Sequence, residues 1–299
     1  MQVALRFTQV AVLFCLLAGH AFGGLDDPWA DRVAEYVPGD GPVPGYDNPQ
    51  VALGPPERFT GEGAFPSVVS MFNPPFGTDE IVSIGAGGSL TVEFDPPILD
   101  SAANRYGVDL IVFGNGGFID FAFPDGQIGP DAEMFGVDAM RVSVSSDGLS
   151  FVDLGEFTEG VFPTQGYLDA GPFDPAPGNE PTAFTRPIDP SLTPADFSGL
   201  SYAQALALYD GSGGGTPIDI GPSGLDSVRF VRIETPSVPG LNVEIDAFAA
   251  VPEPAPLALF LLTALSRRAF RRKKRAANAE RAPFAGAPLR SEGEGVQGS

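Results

Sequence analysis

The chain has 299 residues, 43% of them hydrophobic, and carries 38 Asp and Glu against 17 Lys and Arg, a net charge of −21. Between residues 24 and 250 the imbalance sharpens to seven arginines, no lysine and 34 acids, a balance of −27. So acidic a surface repels nucleic acid and anionic lipid headgroups, which need a positive patch, and favours cations and neutral or cationic partners.

The N-terminus reads as an export signal. Met1–Thr8 contains Arg6 and no acid, Val10–Ala18 is an apolar run too short to span a bilayer, and Ala21-Phe22-Gly23 offers small residues for cleavage. Residues 1–23 are therefore predicted to be a signal peptide. Cys15 and His20 are the only cysteine and the only histidine, and both lie within it. The mature chain then has no Ser-His-Asp triad, Cys-His pair or disulfide, and no zinc or copper site that needs His or Cys. Lysine is absent through residue 272, which removes Schiff-base chemistry.

Residues 24–75 are rich in Pro and Gly and read as an irregular entry, with a short helix over Asp31–Val37 and a tight turn at Gln50–Pro56. Trp29 and Tyr36 are expected to pack onto the domain, the lone Trp29 as a core plug rather than a sugar platform. Residues 76–250 form the domain proper. Glu80–Ile84 and Ser89–Phe94 flank four small residues, Gly85–Gly88, in a hairpin-like connection, and Pro96 and Pro97 are expected to end the second strand. Asp109–Phe113 is a continuous apolar run, the pattern of a strand buried on both faces. Val137–Ser145 and Phe151–Leu154 flank Ser146-Asp147-Gly148, a hairpin turn. Val228–Glu234 alternates, with Val228, Phe230 and Ile233 as the apolar contacts, and Leu241–Ala249 supplies the last strand. One helix is expected over Leu200–Tyr209, with Ser201 as N-cap and Leu200, Ala203, Leu206 and Ala207 on one face. Gly211–Gly215 reads as a flexible loop, and 158–196 as a loop excursion over the surface. The fold class is all-β: an antiparallel, jelly-roll-like β-sandwich with one minor helix, followed by a C-terminal hydrophobic segment.

That segment begins at Val251-Pro252-Glu253-Pro254, where two prolines end regular structure. The apolar run Ala255–Leu265 follows, then Arg267, Arg268, Arg271, Arg272, Lys273, Lys274 and Arg275, a cluster that stays cytoplasmic. As a helix the run is ~17 Å long against a hydrocarbon core of ~30 Å. The order of these parts resembles the PEP-CTERM sorting signal of Gram-negative bacteria. The resemblance implies recognition of Pro252, Glu253 and Pro254, with Arg267, Arg268, Arg271 and Arg272, by an exosortase. It also implies inner-membrane attachment through residues 251–275 before processing, and delivery to the cell surface or exopolysaccharide matrix. Residues 276–299 read as a disordered tail. Over residues 50–254 the pattern GGSLTVEF, DLIVFGNGG, VSVSSDGLSFVDLG, VRFVRIE and EIDAFAAVPEP is similar to PEP-CTERM surface proteins that resemble galactose-binding-like (discoidin-type) modules. Their core motif has Glu-Asn-Gly where this chain has Gly114-Asn115-Gly116.

Carboxylates, hydroxyls and amides are the chemistry that remains, and hard-cation binding is the easiest function to build from them. Asn115, Asp120, Asp147, Asp210 and Asp219 are the loop candidates for a structural calcium, although none falls in an EF-hand pattern. Turn Asx side chains also commonly bond their own backbone. The default function is non-catalytic adhesion or recognition of extracellular glycans or matrix proteins. A carboxylate-pair glycosidase and a purely structural matrix protein are the alternatives.

Overall fold

A computed structural model describes residues 27–61 and 66–253. Its strands are β1 (Arg32–Val37), β2 (Phe59–Thr60), β3 (Ser67–Val68), β4 (Val82–Gly85), β5 (Ser89–Leu99), β6 (Leu110–Gly114), β7 (Gly117–Phe118), β8 (Met134–Phe135), β9 (Ala139–Ser145), β10 (Val152–Thr158), β11 (Thr216–Ile218), β12 (Ser227–Glu234) and β13 (Asn242–Ala250). One α-helix, α1 (Tyr202–Tyr209), accompanies them. The five-stranded sheet runs β1-β5-β12-β9-β10 and the four-stranded sheet β11-β6-β13-β4, with every pairing antiparallel. The strand pairs β2-β3 and β7-β8 form two small ribbons. No described helix is long and apolar enough to cross a membrane. The predicted signal peptide, Pro254, the run Ala255–Leu265, the arginines 267–272 and the tail lie outside the described residues.

Both sheets close on one core. Leu90, Val92, Met140, Val142, Val144, Val231 and Ile233 of the larger sheet meet Val82, Ile84, Leu110, Val112, Val243, Ile245 and Phe248 of the smaller. Each such side chain contributes about 1.5–3 kcal/mol by leaving water. The opposite face of the smaller sheet is covered too. Ile111, Phe113, Ala247 and Ala249 pack there with Phe184 and the half-buried Trp29, as expected of Trp29. Burial on both faces is why β6 reads as an unbroken apolar run. Beyond it, Met71, Phe72, Phe118, Ile128, Phe162, Ile188, Phe197, Ala205 and Tyr209 form a further cluster from loops and α1.

Several local expectations change. Arg32–Val37 is not helical but pairs with β5 as an edge strand, and the Tyr36 hydroxyl donates to the Ser83 carbonyl at 2.7 Å. Sheet pairing here overrides a local sequence without alternation. The segments either side of Gly85–Gly88 do not form a hairpin, since β4 and β5 lie in different sheets. Glycine is required because a Cβ on Gly85 would fall 2.5 Å from the Asp40 carbonyl oxygen, and one on Gly88 2.6 Å from that of Val37. Strand β5 continues past Pro96 and Pro97 to Leu99, and its register against β12 jumps there, the bulge at which strand prolines are tolerated. The same irregularity turns Val231 inward with Val228 and Ile233, and leaves Phe230 half-exposed.

The helix forms where expected, with Gln204 Oε1 accepting from the Ser201 backbone N–H at 3.0 Å and its hydroxyl at 2.9 Å. Its buried face carries Ala205 and Tyr209, however, while Ala203 and Ala207 are exposed. Gly211–Gly215 is a packed segment, not a flexible loop. Cβ atoms on Gly214 and Gly215 would strike the Pro163 carbonyl and the Ile111 side chain. Nor does 158–196 merely run over the surface: it sends Phe162, Phe184 and Ile188 into the inner clusters. Arg58 anchors part of it, with Nη2 donating to the Thr182 carbonyl at 2.9 Å and the guanidinium 3.9 Å from the Phe184 ring centre.

Candidate functional site

Carboxylates sort into three environments. The first is the turn. Asp120 Oδ1 accepts from the N–H groups of Ala122 and Gln127, both at 2.8 Å, and Oδ2 from that of Gly126 at 3.1 Å. In the β9–β10 turn, Asp147 Oδ1 accepts from Ser150 N–H at 2.9 Å and Leu149 N–H at 2.8 Å, bonds that hold its pKa below the usual carboxylate range. Asp210, at the C-terminus of α1, receives Arg105 at 2.7 Å and Arg186 at 2.8 Å, and these two partners lower its pKa. These three side chains organise local structure.

The second environment is a buried carboxylate pair under the end of β6. Glu159 is 1% exposed, and burial first, then the facing Glu244, push its pKa well above the usual range. Glu244 is raised by burial as well. Asn115 bridges the two, donating its backbone N–H to Glu159 Oε1 at 2.9 Å and its side-chain Nδ2 to Glu244 Oε2 at 2.6 Å. Glu159 fills the space beside Gly114. A Cβ on Gly114 would fall on the Glu159 carboxylate and 2.7 Å from the Glu244 carbonyl oxygen. Two residues along β13, Asp246 is fully buried and raised by burial and by Glu57, whose N–H donates to both of its oxygens at 3.3–3.4 Å.

The third environment is a convergence of strand ends. Asp100 follows β5, Asp109 precedes β6 and Asp219 follows β11. One oxygen from each lies within 4.8 Å of the others. Asp109 is buried: its Oδ1 accepts from Ser101 N–H at 3.1 Å and Asn104 Nδ2 at 2.9 Å, and its Oδ2 from Ile220 N–H at 3.2 Å. Asp219 Oδ1 accepts from Gly221 N–H at 2.8 Å. Among the described residues this is the one group of three metal-capable side chains so closely placed.

Of the five loop candidates, only Asp219 enters a three-carboxylate group; Asn115 joins the glutamate pair, and the other three stand apart. Pro252 and Glu253 are exposed just past β13 and are the last of the described residues. Sequence reading missed Asp100, Asn104, Asp109, Glu159 and Glu244. A usable signal existed at two positions of the strand-end centre: Asp109 opens an apolar run, and Asp219 stands between Ile218 and Ile220. An acid in such company is seldom there for solubility. No protein-family model matches the chain, and no curated protein matches it by sequence.

Proposed function

We propose that this chain is an exported, non-catalytic surface module of jelly-roll type, sorted through its C-terminal segment and serving recognition in an extracellular matrix. The observation that carries the recognition part is the loop between β7 and β8. It holds Phe121 and Phe123 outward, 54% and 73% exposed, on a backbone fixed by the three bonds to Asp120 and by Gln127 Nε2 donating to the Gly199 carbonyl at 2.8 Å. Exposed aromatics on a fixed loop suit binding to neutral polymers, glycans or matrix proteins, that an acidic surface does not repel. Turn carboxylates engaged with their own backbone favour this reading over a carboxylate-pair glycosidase, which needs two acids flanking a substrate.

The test is fractionation and intact mass of the chain from a Gram-negative host with exosortase, beside two variants. Wild type is expected in the matrix fraction without its basic tail. Pro252→Ala/Glu253→Ala/Pro254→Ala is expected in the membrane fraction with the tail retained. Phe121→Ala/Phe123→Ala is expected to be processed and folded, yet released from the matrix. An unprocessed wild type would remove the sorting part of the reading, and unchanged matrix retention of the double Phe variant would remove the recognition part.

A further inference from the structure

We infer that Asp100, Asp109 and Asp219, with the side-chain oxygen of Asn104, form a binding site for one calcium-sized hard cation that ties the two sheets together at one end of the sandwich. The inference stands independently of the recognition reading. Asp100 hangs from the larger sheet, and Asp109 and Asp219 from neighbouring strands of the smaller. The three carboxylates approach within 4.8 Å although no described arginine forms an ion pair with any of them. Like charges held so close, one of them buried, call for a counter-charge.

Two further observations point to a ligand. Asn104 is 5% exposed, and its Oδ1 is buried with no hydrogen-bond partner. Its Nδ2 donates to Asp109 Oδ1, so the amide that carries this oxygen is fixed against the buried carboxylate of the group. A buried acceptor without a donor is rare in native proteins, and a bound cation or water is one way to satisfy it. Gly221 supplies the second observation. A Cβ there would fall 2.9 Å from Asp219 Oδ1 and 3.4 Å from Asp100 Oδ1, so glycine keeps the space between these two carboxylates open.

The donor set decides the ion. Four side-chain oxygens, with no nitrogen or sulfur, select a hard cation. Calcium accepts six to eight oxygens in flexible geometry and can complete its shell with water at the exposed Asp100 and Asp219, whereas magnesium demands a tighter octahedron. Backbone N–H bonds to Asp109 Oδ2 and Asp219 Oδ1 pre-orient the ligands and leave each of these two oxygens a second lone pair.

The experiment is equilibrium dialysis of the chelator-treated full chain against radioactive calcium up to ~10 mM, with thermal unfolding in parallel. One ion is expected, with Kd on the order of 10⁻⁴–10⁻³ M, as for extracellular calcium modules, together with a rise in Tm that saturates with occupancy. Asp219→Asn is expected to weaken binding at least ~10-fold, because it removes one charged ligand. Gly221→Ala, which leaves the charge unchanged, is expected to weaken it as well, while Asp147→Asn binds like wild type. No saturable binding at ~10 mM would overturn the site. So would equal binding by wild type, Asp219→Asn and Gly221→Ala, which would place any ion elsewhere on the acidic surface.

Discussion

Gly114→Ala is expected to lower stability by about 3 kcal/mol, the upper part of the range for overpacking a filled interior. For a domain of this size that corresponds to roughly 6–12 °C in Tm. The backbone at Gly114 lies outside the left-handed region, so alanine meets no conformational strain, and the whole cost is steric. The new methyl group would fall on the Glu159 carboxylate and press on the Glu244 carbonyl. Glu159 cannot simply swing aside, because it is buried and accepts from the Asn115 N–H. Glu159→Ala vacates the space, so the two substitutions should couple: the double variant is expected to be more stable than the sum of the singles by about 1–3 kcal/mol. Denaturant unfolding of the four proteins measures this directly. Additivity within ~0.5 kcal/mol would mean that residues 114 and 159 do not share one pocket.

The same pair governs pH dependence. Glu159, Glu244 and Asp246 all hold their protons more tightly in the folded chain than in the unfolded one, burial being the first cause in each case. Between the ordinary carboxylate range and these raised values the folded state therefore binds more protons than the unfolded state. Their contribution to stability is fully present below about pH 4 and is lost as pH rises through that window. Each proton of difference costs about 1.4 kcal/mol per pH unit while it persists. Asp147, Asp169, Asp189, Asp196 and Asp210 act in the opposite sense: their lowered values make stability fall as pH drops below the ordinary carboxylate range. Maximum stability is thus expected near pH 4–5, about one or more units more acidic than in most domains. With chelator present, Tm should fall by several degrees from about pH 5 to about pH 8. Glu159→Gln should remove about one proton from the slope and melt above wild type at about pH 8. A Tm that is flat or rising over that interval, or an unchanged slope in the variant, would show that the pair is not buried as described.

Local patterns carried much of the fold. Asp147-Gly148 between two β runs marked the β9–β10 hairpin, the apolar run 109–113 marked a strand covered on both faces, and Ser201 with the residues after it marked α1. Failures arose where non-local contacts decide. Arg32–Val37 shows no alternation because it is an edge strand with most residues exposed, and its partner β5 lies more than fifty residues away. Glu159 was hidden because a stretch rich in Pro, Gly and Asp reads as surface, whereas three aliphatic and aromatic anchors draw it inward. The acidic centre carried a local signal at Asp109 and Asp219, but only Asp219 stood out as a ligand candidate, and their convergence was not legible. Asp109 meets Asp219 because β11 pairs with β6, and Asp100 because the two sheets face each other, neither of which is written in local spacing.

The exit of the chain has a mechanical consequence. Strand β13 is an interior strand, flanked by β6 on one side and on the other by β4 and then the Pro28–Trp29 segment, whose Pro28 carbonyl accepts from Ala250 N–H at 2.7 Å. Val251 N–H donates in turn to the Asp109 carbonyl at 2.8 Å. Tension applied to Pro252 along the axis of β13 would load the bonds on both flanks together, in shear. An edge strand pulled from its end would instead peel away one rung at a time. A pull along that axis must break both flanks of an interior strand at once.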